Sequence, residues 1–193
     1  MMQAIRILLL APQDPFGDSI GRTLADAGMT TLITRVDSRE QFTAALDENA
    51  PDVVIADFSP SRFDARGALE VIRGRRPATP VIVVSESISG AAAVACLRAG
   101  ADDLVLVPNL NRLAESINHA ITRRSPLTKL TSRQFEVMRL VAEGHRTRDI
   151  ADQLKLSVKT VESHRGEVMK RLEMHGVVSL VRYAMQVGLV APS

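Results

Sequence analysis

Aromatic residues make up 3% of this 193-residue chain, and tryptophan is absent. Any core must therefore be built from Val, Leu, Ile, Ala and Met. Cysteine is scarcer still: Cys96 stands alone, which excludes a disulfide framework and a CxxC metal site and suits a reducing cytoplasm. A single thiol inside Ala91–Ala99 reads as a small core residue rather than a nucleophile. No apolar run approaches the ~20 residues of a membrane helix, and the opening Met1–Ile7 lacks a small-residue cleavage site. Nothing resembles a Gly-rich phosphate loop, a metal-ligand cluster or a Ser-His-Asp grouping, so an enzyme is not expected. Lysine is missing from residues 1–125, where 13 Arg face 15 Asp and Glu for a net charge of −2. Residues 126–193 hold 11 basic and 7 acidic residues, a net of +4, which suggests a polyanionic partner for that end.

What is present, 46% hydrophobic and 24% charged residues, suffices for cores in two small domains. Five short Val/Ile/Leu-rich runs, Ile5–Leu10, Thr31–Val36, Asp52–Asp57, Pro80–Ser85 and Asp103–Val107, read as strands buried on both faces of a parallel sheet. Helical stretches alternate with them near Phe16–Ala27, Ser38–Glu48, Ala65–Arg75, Ser89–Arg98 and Leu110–Thr122, punctuated by Gly28, Pro77 and Gly100. The expectation is an α/β doubly wound (βα)5 domain over residues 1–122, with its site at the carboxyl ends of the strands. The polar, Pro-interrupted stretch 123–129 reads as a linker.

Residues 130–193 carry helix signals only, and predict a small all-α domain of four helices. Thr131 and Gln134 form a capping box, Val137, Met138 and Val141 share one face, and Gly144 ends the first helix. Thr147 is expected to cap a second helix bearing Ile150, Ala151 and Leu154, and Ser157 to cap a third that runs to about Glu173. A fourth covers roughly Val178–Val187. Two short helices across a tight turn, the second one basic, make a helix-turn-helix. On the third helix, Val161, His164, Val168 and Leu172 share the inner face. Lys159, Glu162, Ser163, Gly166 and Lys170 share the outer stripe, and Arg165 lies between, long enough to reach a phosphate. Such a stripe is either a solvated helix face or a set of side chains for base edges and phosphates. Gly166 costs ~1 kcal/mol against Ala in mid-helix, which suits close approach to a groove floor. His164 has no Cys or second His at ligand spacing.

The segments LTSRQFEVMRLVAEG (130–144), DIADQLKL (149–156) and SVKTVESHRGEVMKRL (157–172) resemble the LuxR-type helix-turn-helix in order and spacing over about 65 residues. The resemblance implies that the third helix is the recognition helix, with Glu162, Ser163 and Gly166 toward bases. Thr160, His164, Arg165 and Lys170 would then set the helix against phosphates. Relatives often carry Lys where Glu162 stands; an acid there could accept from a cytosine amino group or weaken nonspecific affinity. The last helix would be a dimerisation surface, which implies a homodimer on a palindromic double-stranded DNA site.

The first half resembles a response-regulator receiver, and the whole chain the NarL/FixJ class, on Asp57 ending VVIAD, Ser85 ending PVIVVS, and Gly100-Ala101-Asp102-Asp103 with Pro108. By that resemblance Asp57 stands at the phosphoacceptor position and Ser85 at that of the hydroxyl reporting the phosphoryl group. The chemistry also needs Mg²⁺ on further acidic oxygens and a Lys counter-charge. Here Ala11-Pro12-Gln13 follows the first strand, with only Asp14 nearby; Val107 replaces the Lys and Leu104 the aromatic switch residue. Mg²⁺ binding is therefore expected to be weak or absent, and the receiver degenerate. Asp57 is either a vestigial phosphoacceptor or a strand-end cap. A domain of this kind could dimerise constitutively, bind a partner protein or accept a small ligand. Phosphorylation-switched control at Asp57, and a helical domain that binds protein instead of DNA, are the alternatives.

Overall fold

The structure, a computed structural model, describes residues 4–11, 15–58 and 63–190. The chain divides into two compact units, residues 1–123 and 124–193. Among the described residues no helix is long and apolar enough to cross a membrane.

In the first unit five strands, β1 (Ile5–Leu10), β2 (Thr31–Val36), β3 (Val53–Asp57), β4 (Val81–Ser85) and β5 (Asp103–Leu106), form one parallel sheet in the order β2-β1-β3-β4-β5. Helices α1 (Pro15–Asp26), α2 (Arg39–Asn49), α3 (Ala65–Arg75), α4 (Gly90–Arg98) and α5 (Leu113–Arg124) join and cover them. Because side chains alternate along a strand, the leucine run of β1 serves both faces. Leu8 and Leu10 pack with Phe42 and Leu46 of α2 and Leu69 and Ile72 of α3. Ile7 and Leu9 pack with Ile20 and Leu24 of α1 and Leu113 and Ile117 of α5. Cys96 is buried in the first of these layers, as expected of a core residue. The doubly wound fold expected from the runs is thus the observed one.

Ser38 and Ser89 cap α2 and α4 through their side chains, accepting from Gln41 and Ala92 N–H. The helix expected over 110–122 differs: a 3-10 turn, Val107–Arg112, precedes α5. Asn109, at φ −115, ψ 28, leaves the helical range, so the chain kinks after Pro108 and α5 begins only at Leu113. At the opposite end of the sheet, arginines tie loops to helix ends. Arg6 donates to Asn49 O (3.1 Å), Arg73 to Arg98 O (3.2 Å), Arg76 to Asp47 O (3.2 Å) and Arg123 to Asp102 O (3.0 Å). Three of these acceptors, Asn49, Arg98 and Asp47, lie in the last turn of a helix, where carbonyls are left unpaired and cations are favourable.

The second unit contains α6 (Ser132–Ala142), α7 (Thr147–Leu154), α8 (Val158–Arg171) and α9 (Val177–Gln186). Residues 123–129 do not form an open stretch: Arg123 and Arg124 complete α5, and Ser125–Lys129 makes a 3-10 turn with Leu127 buried. The capping box of Thr131 and Gln134 is present at α6. Gly144, at φ +89, reverses the chain after α6, with His145 N donating to Leu140 O at 3.0 Å. Lys155 plays the same part after α7 at φ +53. Val137, Met138 and Leu140 of α6, Ile150 of α7, Val161 and Val168 of α8, and Leu180 and Ala184 of α9 are buried. One expectation fails: Thr147 is the first residue of α7, not its cap. Arg146 occupies the cap position, and its N–H reaches Asp149 Oδ2 at 3.3 Å.

Candidate functional site

The strand order reverses between β1 and β3, since β2 lies on one side of β1 and β3 on the other. Loops leave in opposite directions there, and the crevice at the carboxyl ends is where an open α/β sheet offers a site. Asp57 ends β3 half-buried, one residue beyond the paired Leu10 and Ala56. The position facing it after β1 is Ala11, buried and apolar. Ser85, at the end of β4, is 1% exposed, and its hydroxyl lies 2.8 Å from Ser87 O and 3.2 Å from Phe58 O. The single hydroxyl proton is thus shared between backbone carbonyls of the two loops beside it, Ser87 O being the nearer. Val107 opens the 3-10 turn and packs against the α1–α5 layer, and Leu104 packs against the α2–α4 layer. The nearby Arg66 guanidinium lies over the Phe58 ring at 5.5 Å and is held by Asp64 at 3.0 Å.

The described residues do not by themselves make up a Mg²⁺ site of the receiver kind. Mg²⁺ needs carboxylate oxygens in near-octahedral array. Among the described residues Asp57 is the carboxylate at the ends of β1 and β3, and no group of three His, Cys, Asp or Glu could hold a metal. Asp14, the substitute acid considered from the sequence, lies outside the described residues.

On α8 the faces divide as the periodicity predicts. Val161, Val168 and Leu172 are buried, while Lys159, Glu162, Ser163, Gly166 and Lys170 are all exposed. A Cβ added at Gly166 would meet nothing within 4 Å, so this part of the outer surface is open. Ser157 caps the helix, accepting from Thr160 N–H at 3.0 Å, and its hydroxyl shares a 2.7 Å bond with that of Thr160. His164 is half-buried rather than sealed inside. Arg165 is also half-buried, and its Nη1 donates to Thr147 Oγ1 at 2.7 Å. The Thr147 hydroxyl, not needed for capping, is the acceptor that sequence reasoning missed. Position 165 follows Val161 by four residues and precedes Val168 by three, which was the available signal that it turns toward α7.

Arg133 of α6 donates to Leu154 O at 2.5 Å and Arg171 of α8 to Lys129 O at 2.7 Å. Both fasten helix ends inside the unit, and neither carries a periodic signal in the sequence. The structure therefore brings the α8 stripe together on one open surface.

Comparison with known proteins agrees with this division. The family model described as "Response regulator receiver domain" matches residues 13–118, and that described as "Bacterial regulatory proteins, luxR family" matches residues 128–184. The oxygen regulatory protein NreC of Staphylococcus haemolyticus is 27% identical over 187 residues, covering 82% of this chain and 86% of that one. The response regulatory protein YgeK of Escherichia coli is 35% identical over 94 residues, 42% of this chain and 64% of its own length. Full-length FixJ from B. japonicum has a similar fold, with TM-score 0.55 and 22% identity over 98% of this chain and 100% of that one.

Proposed function

Because this chain belongs to the response regulators that join a receiver domain to a LuxR-type helix-turn-helix, the NarL/FixJ class, we propose that it regulates transcription without depending on aspartyl phosphorylation. It is a DNA-binding transcriptional regulator of that class. In our reading residues 1–122 receive or relay the regulatory input, 123–129 connect, and 130–193 read DNA. The exposed stripe of α8 enters the major groove, with Glu162, Ser163 and Gly166 toward base edges and Lys159 and Lys170 toward phosphates. Thr160 and His164 flank it. The protein acts as a homodimer on a palindromic operator, in the cytoplasm.

The observation that supports phosphate independence is the composition of the strand ends. Asp57 has buried Ala11 opposite it and Val107 where the counter-charge would stand. No Lys occurs before Lys129, and among the described residues no group of three His, Cys, Asp or Glu could hold a metal, so the ammonium and ion that usually offset a phosphoryl charge have no described counterpart. The Ser85 hydroxyl is engaged with backbone carbonyls instead.

The test is selection of genomic fragments by the purified, unphosphorylated chain, followed by sequencing, with Asp57→Asn in parallel. Enrichment of the same palindromic site by both proteins is the expected result. Enrichment that requires a phosphodonor, and that Asp57→Asn loses, would establish a conventionally switched receiver.

A further inference from the structure

The inner face of α8 has an aliphatic gap. Val161 and Val168 are buried two turns apart, and the turn between them presents His164 and Arg165, both half-buried. With Gly166 next in line, that turn has little apolar surface to press against α7, whose own buried residues are Ile150 and Ala151. What holds the two helices there is polar: Arg165 Nη1 to Thr147 Oγ1 at 2.7 Å, across 18 residues of sequence. A bond from a charged donor is shorter and stronger than one between neutral groups. Thr147 suits the role because it begins α7 while Arg146 occupies the cap position, so the hydroxyl has no capping duty.

We propose that Arg165 is a positioning residue for DNA reading. Through Thr147 it fixes the angle of α8 on the first turn of α7, and so the height at which Glu162, Ser163 and Gly166 meet the base edges. The family resemblance places Arg165 at the phosphates; the geometry turns it inward instead. The assignment rests on the DNA-binding reading given above and refines it. Phosphate contacts and base contacts leave different signatures, because each lost phosphate contact lowers the log–log salt slope by about 0.9. Loss of a positioning bond leaves that slope alone and weakens discrimination between sites.

Full-length wild type, Arg165→Gln, Thr147→Val, the double variant and Thr147→Ser are titrated against the duplex recovered by genomic selection and a scrambled duplex of equal length. Salt is varied over about 50–200 mM, and thermal unfolding of each variant is followed. Arg165→Gln and Thr147→Val should each weaken the selected duplex about tenfold, and the double variant no further, as coupled partners do. Salt slopes and scrambled-duplex binding should stay at wild-type values, and Thr147→Ser should restore affinity. Thr147→Val, nearly isosteric, carries the test if Arg165→Gln does not fold. A slope shallower by about 0.9 on both duplexes in Arg165→Gln, with Thr147→Val binding as wild type, would make Arg165 a phosphate ligand and overturn the proposal. Wild-type protein that retains no duplex would overturn the DNA-binding reading, and this assignment with it.

Discussion

At Gly166, an open surface on α8, a side chain meets nothing in the protein itself. Replacing Gly by Glu there raises helix propensity, by up to ~1 kcal/mol, while setting a bulky carboxylate against the groove that α8 would enter. Gly166→Glu should thus unfold at or above the wild-type temperature and lose operator binding; unchanged binding would mean that α8 is not the reader. A second residue-scale case is Asp52, which holds Arg6 through its carboxylate at 2.8 Å. Burial alone would raise the Asp52 carboxyl, but the bonds from the Arg6 side chain and backbone N–H, and its charge, outweigh this and hold it below the ordinary carboxylate range. A carboxyl lowered by folding stabilises above its unfolded pKa, and that contribution is lost as pH falls through the folded value. Both side chains are more than a third exposed, so the pair is worth less than about 1 kcal/mol. Arg6→Gln should lower stability near neutrality by that much and make the acid side of the stability profile shallower, as denaturant titrations at pH 7 and pH 3 would show.

Elements were largely legible before the structure, and the reasons differ between them. The apolar runs marked β1, β3 and β4 because strands buried on both faces leave few polar positions to confuse the pattern. By contrast β2 and β5, at the sheet edges, are only partly buried, contrary to the expectation of two-sided burial for all five. Caps at Thr131 and Ser157 follow from side chains that accept from their own helix. Losing one should be measurable: Thr131→Ala is expected to cost about 1 kcal/mol, seen as a lower midpoint in the unfolding of the helical unit. Position 147 misled because a Thr before a helical run is the usual sign of a cap, and nothing local marks Arg146 as holding that place. The 3-10 turn after β5 was hidden for a related reason, since Pro108 is compatible with a helix start as well as with a tighter turn. The outer stripe of α8 followed from its 3.6-residue period, and the same period places Arg165 toward α7, but its partner Thr147 lies on a separate helix and has no period to betray it.

For the whole molecule, two units with separate cores should behave as separate folding units. Residues 124–193 expressed alone are expected to be helical and to unfold cooperatively, checked by far-ultraviolet circular dichroism and calorimetry, because Met138, Ile150, Val161 and Leu180 are buried within that unit. A gradual, non-cooperative melt would show that the unit borrows its stability from the rest of the chain. The arginines that tie loops to helix ends carry one more consequence, for the response to base. Alkaline titration of side chains is the chemistry of Cys, Tyr and Lys, and a guanidinium stays charged throughout. Residues 1–128 contain no Lys or Tyr, and burial together with the Asp64 carboxylate pushes the Cys96 thiol upward despite Arg66. The sheet unit therefore offers base no Lys or Tyr to act on, while Tyr183 and all four lysines lie in the helical unit. Base-sensitive side-chain chemistry is thus lopsided in this protein: apart from Cys96 it belongs to the helical unit, and the sheet unit carries its positive side-chain charge on guanidiniums.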